Sequence, residues 1–451
     1  MVSEIRHSAR ISRTVAVIVP TRWNHVPPAW FTALMRAPIW TRRTVDSAFS
    51  APDNSFGFLR LLFAFAVLVS HSLPLGYGEE DPGGGLSHGQ TVLGEIGILG
   101  FFTISGFLIT RSAGRVPLPR YLWHRGLRIL PGLWVCLIVT AFVFAPVVAL
   151  IERGSLAGLF TEPGGPFGYV VNNLAIAVRQ YGISGLLMDT PYGRLTGTSV
   201  FDGSLWSLMY EVFCYFMVAG LAVLGVLKRA RWVVAVLAGA LFAVIVRDFL
   251  AAPRIPGPQG DHGPFLGIGA LDTYSLVYLT YVFLLGALFE VYRRRVVLND
   301  AGAIIAAVIL AGSLRFGGFD VFGYPAFAYL VLWLAVRLPR PFQRVGRRHD
   351  YSYGFYIYAF PVQQLLALLG APGLGLLPYV LLTTAGTFAL AIPSWHLVER
   401  PAMSLKHWRP RQRTTAGDQA SGTNSRGAPV PSAGTTHTSL AEGPLPERGR
   451  P

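Results

Sequence analysis

Two ionisable residues lie inside one apolar stretch of the chain, an arrangement that points to chemistry within a membrane. Residues 55–75 read SFGFLRLLFAFAVLVSHSLPL and contain Arg60 and His71. A helix of about 20 residues crosses a hydrocarbon core of about 30 Å, so this stretch is predicted to span a bilayer. The two side chains are eleven residues apart, close to three full turns, so they share one face, roughly 16 Å apart along the axis. Because burying an ionisable group in a bilayer is costly, both are candidate functional residues.

The histidine and a carboxylate further along the chain are suited to proton transfer. Imidazole is a competent general base near pH 7, and burial favours its neutral form. Glu211 lies in the stretch GSLWSLMYEVFCYF at 203–216, and a carboxylate near the imidazole would orient the ring and stabilise the imidazolium. The alternative roles are structural. Arg60 would then extend to the membrane interface, His71 would donate to a carbonyl, and Glu211 would accept a hydrogen bond within the bundle.

A pair of arginines is suited to binding an anion. Arg125 and Arg128 occur in HRGLRILP at the start of the third apolar run. At positions i and i+3 they share a helix face and present two guanidinium groups, for which phosphate is the natural partner. The alternative is that both residues serve only to set the orientation of the chain in the membrane.

The composition indicates a membrane protein rather than a soluble one. Of 451 residues, 52% are hydrophobic and 14% charged, and the mean hydropathy is +0.46. The net charge of +15 comes from basic residues clustered at the ends of apolar runs, so membrane topology explains it and no nucleic-acid partner is predicted. The chain has two cysteines, Cys136 and Cys214, both in apolar runs. Neither a disulfide framework nor a metal site is predicted.

Ten apolar segments are predicted to form an all-α, polytopic bundle of transmembrane helices. They lie at 55–75, 92–110, 129–151, 205–227, 233–250, 275–292, 301–314, 321–338, 351–369 and 376–396. With ten spans, the basic clusters fall on one side, and the acidic loop 76–90 and the polar segment 152–203 fall on the other. By the positive-inside rule, both termini are expected in the cytoplasm. Gly97, Gly100 and Gly106 in the second span are predicted to allow close helix packing.

The two ends of the chain differ in composition from the bundle. Residues 1–50 contain seven arginines against two acidic residues, and the region 1–52 is expected to be a basic, disordered cytoplasmic tail. Its longest apolar run, at 15–20, is too short for the core of a signal peptide. The alternative is that the true start of the protein lies later, for example at Met35. Residues 402–451 are rich in Ser, Thr, Gly, Pro and Arg and are expected to be disordered. The membrane domain is therefore predicted to occupy 53–401.

Several motifs in this order resemble those of the acyltransferase-3 family, which are bacterial integral-membrane O-acyltransferases. The resemblance covers about 53–401. It rests on Arg60-x10-His71, GFFTISGFLI at 100–109, Arg125-x-x-Arg128, SLWSLMYEVFCYF at 204–216, YSYGFYIYAFPVQ at 351–363 and WHLVERP at 395–401.

The resemblance implies a reaction and a role for each candidate residue. Members transfer an acyl group, usually acetyl, from cytoplasmic acyl-coenzyme A to a hydroxyl of a surface glycan or a small molecule. No permanently bound cofactor is implied, since acetyl-coenzyme A is a substrate. By resemblance, His71 is the catalytic base, Arg60 supports it or contacts the donor, and Glu211 orients or assists. Arg125 and Arg128 would bind the donor's phosphates. Direct transfer and an acyl-enzyme remain open.

The resemblance also implies a location and partners. The protein is expected to be a multi-pass protein of the cell's inner or plasma membrane, in contact with the lipid bilayer. Some members carry a fused extracytoplasmic hydrolase domain of the SGNH type. No such domain is recognised in this sequence, so transfer would proceed without one or with a separate extracytoplasmic protein.

Two other classes of membrane protein are alternatives. A secondary transporter also has intramembrane charges, although no convincing internal repeat or pair of broken helices is found here. A non-catalytic subunit for glycan export, such as a flippase, is the second alternative. Cleavage of acyl-coenzyme A by the purified protein would distinguish an enzyme from both.

Overall fold

The computed structural model describes residues 43–50, 53–251, 261–265 and 269–407. This part of the chain is built almost entirely from helices. In chain order they are α1 (Val45–Ala48), α2 (Phe56–Tyr77), α3 (Leu93–Ala113), α4 (Leu118–Val139), α5 (Ala145–Arg153), α6 (Pro166–Asn173), α7 (Pro191–Thr196), α8 (Ser207–Val223), α9 (Val226–Arg229), α10 (Trp232–Ala251), α11 (Thr273–Val291), α12 (Asp300–Phe316), α13 (Tyr324–Arg337), α14 (Arg340–Arg344), α15 (Ser352–Leu368), α16 (Leu376–Ser394) and α17 (Arg400–Ser404). Two short antiparallel strand pairs accompany them, β1 (Arg43–Thr44) with β4 (Val297–Leu298) and β2 (Asp261–Phe265) with β3 (Gly269–Asp272).

Helices occupy all ten predicted spans. Within the described ranges, seven helical segments are long and apolar enough to cross a membrane: Phe56–Tyr77, Leu93–Ala113, Leu118–Arg153, Trp232–Ala251, Thr273–Val291, Phe319–Arg337 and Leu376–Ser404. The helix α8 is apolar but shorter, with 17 residues, and α12 and α15 also have 17 residues each. The structure thus confirms a helical bundle with the character of a multi-pass membrane protein.

The first long helix is continuous over the stretch that contains the two ionisable residues. Its first N–H, from Phe56, donates to the side-chain oxygen of Asn54 at 3.2 Å. It ends at Gly78, whose left-handed backbone (φ +68°) lets its N–H bond back to the last turn, because glycine adopts this conformation without steric cost. Arg60 and His71 therefore lie on one unbroken helix, as predicted.

The helices α2, α3 and α11 pack closely around small residues. A methyl group at Gly106 would collide with the backbone oxygen of Phe283 on α11, and one at Gly286 with the backbone oxygen of Thr103 on α3. The predicted close packing of the second span is therefore confirmed, and it gives α3 a fixed position between α2 and α11.

The residues just before the first long helix are packed against the bundle. Val45 is fully buried, and the Phe49 ring stacks on Phe56 at 5.3 Å and lies 4.9 Å from Phe107. Residues 43–50 therefore belong to the folded unit, although they fall inside the predicted tail 1–52. At the other boundary, α17 runs to Ser404, beyond the predicted limit at 401. Of the predicted tails 1–52 and 402–451, residues 1–42, 51–52 and 408–451 lie outside the described residues.

The two ends of the bundle differ in charge. At one end α2, α4 and α15 begin and α3, α8 and α11 end, and arginines cluster there around the carboxylates of Asp46 and Asp350. We call this the basic end. The opposite end carries the loop 78–92 and the long segment 154–206.

Candidate active site

One cavity near the basic end brings together four of the five predicted site residues. Arg60, Arg125, Arg128 and Glu211 all line a space of about 110 Å³ between α2, α3, α4, α8 and α15. Its wall on α3 is mostly apolar and is formed by Ile98, Phe101, Phe102, Leu108 and Ile109. The cavity therefore has a cationic side and an apolar side.

A carboxylate that sequence reasoning missed joins two of these arginines. One oxygen of Asp350, Oδ2, lies 2.9 Å from Arg60 Nη2 and 2.8 Å from Arg128 Nη2. The other oxygen, Oδ1, accepts a hydrogen bond from Ser352 Oγ at 2.6 Å. Burial alone would raise the pKa of Asp350, but the two guanidinium groups and the serine bonds outweigh it and hold the pKa at about 2. Asp350 is thus ionised and fixes Arg60 beside Arg128.

Arg128 and Arg125 have different electrostatic surroundings. Arg128 Nη1 lies 3.7 Å from Oε2 of Glu399, whose side chain is only 1% exposed. Together with Asp350, this gives Arg128 two carboxylate neighbours. Arg125 has no ion pair among the residues that the structure describes; its guanidinium lies 6.0 Å and 5.9 Å from the ring centres of Tyr121 and Tyr215. Its Nε is buried without a hydrogen-bond partner. Of the two, Arg125 is the cation free to bind an anionic ligand.

Glu211 is held by two hydroxyl groups. Its Oε1 accepts hydrogen bonds from Ser105 Oγ at 2.7 Å and from Tyr215 OH at 2.6 Å. Its Oε2 accepts none from the described part of the chain. Because Tyr215 also contacts the guanidinium of Arg125, the carboxylate and this cation are linked through one side chain.

A segment that enters the bundle explains why Glu211 reaches the basic end. Residues 201–205, just before α8, include Phe201, Asp202, Ser204 and Leu205, each at most 2% exposed. Tyr356, on the second turn of α15, donates its hydroxyl to the backbone oxygen of Ser204 at 2.8 Å. The helix α8 therefore begins deep in the bundle rather than at its outer surface.

A short hydrogen-bonded chain ends at the cavity wall. Tyr356 OH and Ser207 Oγ are 2.7 Å apart, and both side chains line the cavity. Because the single phenolic hydrogen is donated to Ser204, Ser207 must donate to Tyr356. Ser204 in turn donates to Asp202 Oδ1 at 2.7 Å. The hydroxyl of Ser207 thus presents its lone pairs to the cavity.

His71 is not among the residues that line this cavity. Its ring packs edge-on against Phe360 with centroids 5.3 Å apart, and its Nδ1 is buried without a hydrogen-bond partner. Phe360 also contacts Gly203 so closely that a Cβ there would collide with the ring. The Phe360 ring therefore contacts both the His71 ring and the backbone at Gly203.

A second cavity at the basic end adjoins the first. It has a volume of about 570 Å³, shares Ser352 with the first cavity, and includes Arg344, Arg347, Arg348 and His349. We call it the basic mouth. Within the described ranges, no group of three or more His, Cys, Asp and Glu side chains is arranged to hold a metal ion. The chemistry available here is anion binding next to an acidic group in a partly apolar cavity.

These features define a helical membrane protein with a polar cavity inside the bundle, and comparison with known proteins assigns it to a family. The family model described as "Acyltransferase domain" matches residues 53–396. The chain therefore belongs to the acyltransferase-3 family, and it is an acyltransferase enzyme. It is 29% identical over 362 residues to the "O-acetyl transferase" of Shigella phage Sf6, covering 77% of this chain and 95% of that protein.

A second relative supports the same family. The "Nodulation protein 10" of Rhizobium leguminosarum bv. viciae is 30% identical over 377 residues, covering 79% of this chain and 95% of that protein. No solved structure is significantly similar to the chain. The similarity extends over 95% of the length of both relatives.

Proposed function

We propose that this O-acyltransferase moves an acyl group, usually acetyl, from acyl-coenzyme A to a hydroxyl of a surface glycan or a related acceptor. The observation that carries the proposal is the cavity in which a free cation, Arg125, lies beside an acidic group, Glu211, next to the basic mouth. A thioester donor with a charged nucleotide tail matches that combination. The name of the phage relative supports acetyl as the group transferred.

The donor would enter from the basic end. Coenzyme A carries a diphosphate and a 3′-phosphate, which need cationic partners. The basic mouth supplies Arg344 and Arg348, and Arg125 lies further inside. The apolar wall on α3 suits the uncharged pantetheine arm, so the thioester would point toward Ser207 and Tyr356.

The acceptor would approach from the opposite end, where His71 lies. In the proposed step, His71 takes the proton of the acceptor hydroxyl while the oxygen of that hydroxyl attacks the thioester carbonyl. The new ester bond forms as the carbon–sulfur bond breaks, and the coenzyme A thiolate that leaves is protonated by the proton that His71 took up, which returns His71 to its neutral form. Because His71 does not line the cavity and packs against Phe360, the step requires the thioester to extend beyond the cavity or the surroundings of His71 to move.

The membrane arrangement is part of the proposal. With ten passes, the basic end faces the cytoplasm, where acyl-coenzyme A is made, and both termini lie on that side. The enzyme would reside in the inner or plasma membrane, with the acceptor on the outside.

The test is thioester cleavage by the full-length protein in detergent. Free thiol released from acetyl-coenzyme A is measured with and without a panel of glycan acceptors, together with ester formation on the acceptor. The variant His71→Gln keeps hydrogen-bonding capacity but cannot serve as a base near neutral pH. It should lose about 10²–10⁴-fold in transfer while still binding donor.

The exposed histidine His88 provides a matched control, and His88→Gln should retain activity. Transfer close to wild type by His71→Gln would remove His71 from the mechanism. Absence of thioester cleavage by folded protein, with uptake of a solute into vesicles instead, would refute the enzyme and favour a transporter.

A further inference from the structure

A second group of cations lies at the basic end, apart from the site described above. Two adjoining cavities of about 250 Å³ and 440 Å³ lie where α3 and α11 end and α10 begins. They share Lys228, Arg231 and Arg294, and neither shares a residue with the candidate active site or the basic mouth. Eight Lys and Arg side chains line them in total. We call them the lateral basic cavities.

Most of this positive charge is not neutralised by the protein. The nearby carboxylates are Glu290 and Asp46, and both are engaged by Arg293, with N–O distances of 2.6 Å and 2.8 Å. Arg111 and Arg294 are more distant from the same two groups, at 4.0 Å and 3.6 Å. The remaining cations form no ion pair within the described residues: Arg115, Lys228, Arg229, Arg231 and Arg295. Such a concave excess of positive charge attracts a polyanion.

An apolar groove continues from the same place. It has a volume of about 400 Å³ and shares Arg115 and Lys228 with the basic cavities. Its other walls include Val116 and Leu118 before and in α4, and Ala222 and Val223 on α8. Val223 is 63% exposed, so the groove lies at the outer surface of the bundle, where acyl chains of the bilayer pass.

Membrane orientation alone explains basic residues at this end but not their concave arrangement beside an apolar groove. We propose that the lateral basic cavities and the groove form a binding site for an anionic phospholipid. Its phosphate groups occupy the cavities and one acyl chain lies in the groove. Basic pockets between membrane helices are suited to such headgroups. Because there are two adjoining cavities, a lipid with two phosphates fits better than one with a single phosphate.

Trp232 provides an independent sign that this surface meets the bilayer. It lines one of the basic cavities and its side chain is 63% exposed. Tryptophan favours the boundary between acyl chains and headgroups, so it marks the depth at which the lipid phosphates lie. The same residue supplies a fluorescence probe close to the proposed site.

The test measures lipid binding to the full-length protein in detergent by native mass spectrometry and by thermal unfolding. The probes are diphosphatidylglycerol, phosphatidylglycerol, phosphatidylcholine and inorganic pyrophosphate. Diphosphatidylglycerol should bind most tightly and raise the unfolding temperature, and phosphatidylcholine should do neither. A short-chain phosphatidylglycerol should bind more weakly than its long-chain form, because it leaves the groove unfilled.

A triple variant tests the location of the site. Neutralising Arg115, Lys228 and Arg231 to Gln should weaken binding of diphosphatidylglycerol roughly 100-fold, which corresponds to about 1 kcal/mol for each cation. All three side chains are exposed, so folding should be retained. The matched control neutralises three exposed arginines elsewhere at the basic end, Arg340→Gln, Arg344→Gln and Arg400→Gln, and should bind lipid as wild type does.

Other results would overturn the proposal. Equal losses of diphosphatidylglycerol affinity in both triple variants would mean that lipid binding depends only on the net charge of the protein. Tight binding of pyrophosphate, with no dependence on lipid chain length, would identify a site for a soluble anion. If the wild-type protein shows no preference for anionic lipid, these basic residues serve only to orient the chain in the membrane. The lipid site does not depend on the proposed reaction, since Arg125→Gln and His71→Gln should bind lipid normally.

Discussion

Arg125 and Arg128 look equivalent in the sequence, but their surroundings predict opposite effects of substitution. Arg128 lies 3.7 Å from the carboxyl group of Glu399, which is 1% exposed, and shares Asp350 with Arg60. Removing one partner of a buried ion pair typically costs about 3–5 kcal/mol. Arg128→Gln should therefore destabilise the protein strongly. Arg125 contacts two aromatic rings, interactions worth about 0.5–2 kcal/mol each, so Arg125→Gln should unfold at a temperature closer to that of wild type.

Donor binding should be weakened more by Arg125→Gln than by Arg128→Gln. A charge-assisted hydrogen bond contributes about 1.5–3 kcal/mol, so loss of the one from Arg125 to a donor phosphate should weaken acetyl-coenzyme A binding roughly 10- to 150-fold. Acetyl-pantetheine lacks the 3′-phosphate and the diphosphate, so its binding should be nearly unchanged in Arg125→Gln. Isothermal titration with both donors and thermal unfolding in the same detergent measure the two effects.

A second substitution tests whether the stability lost in Arg128→Gln arises because Glu399 is left buried without its partner. In the double variant with Arg128→Gln and Glu399→Gln, no buried charge is left without its partner at Glu399, and part of the lost stability should return. The reasoning would be refuted if Arg125→Gln and Arg128→Gln lost stability and donor affinity to the same extent. It would also fail if the double variant lost as much free energy of unfolding as the two single variants added together.

Three further predictions follow from the geometry. The pKa of Asp350 is lowered from 3.8 to about 2, so its ion pairs stabilise the fold above pH about 4 and are lost as the pH falls toward 2. The unfolding temperature of Asp350→Asn should lack this acid-dependent loss. Parallel plots of unfolding temperature against pH for the variant and wild type would contradict the prediction. Glu211→Gln should be milder than His71→Gln if the carboxylate only positions other groups, and comparably severe if it carries a proton, as judged by transfer rates at matched membrane levels. Leu86→Cys should react with an impermeant maleimide in intact cells because Leu86 is 85% exposed in the loop 78–92, and labelling only after the cells are opened would refute the ten-pass orientation.

The sequence was sufficient to predict that the three arginines lie at the same end of the bundle. Arg60 follows the start of the first long helix and Arg125 and Arg128 lie near the start of the third, so alternating passes bring them to one level. Glu211 could be assigned to a helix by its apolar surroundings, but not to this depth. Its position depends on how far the segment 201–205 enters the bundle, which hydropathy does not report.

The carboxylates of the site could not be paired from sequence. Asp350 lies 222 residues after Arg128, and only the packing of α15 against α2 and α4 brings it there. A signal was available in the sequence RRHDYSYGFY, where one acidic residue stands among arginines just before an apolar run. The sequence also did not show that His71 lies outside the cavity and packs against Phe360, a residue distant in sequence.

Helix length does not follow from apolar length for every predicted span. The 17 residues of α15 rise only about 26 Å, which is short of the hydrocarbon thickness. Every residue from Ser352 to Gln364 is buried, so this helix is covered by its neighbours and need not meet lipid along its length. Its polar residues Gln363 and Gln364 donate to backbone oxygens of α2 and of Val200. Apolar length is therefore a weaker guide for helices at the centre of a bundle.

The single carboxylate oxygen shared by Arg60 and Arg128 has a consequence for biosynthesis. The chain is made from its N-terminus, so both arginines enter the membrane with their helices long before Asp350 leaves the ribosome. Until then, the two like charges have no counter-ion from this residue. Asp350, just ahead of α15, then joins α2, α4 and the start of α15 at one point. These ion pairs can therefore form only after more than three quarters of the chain has been made.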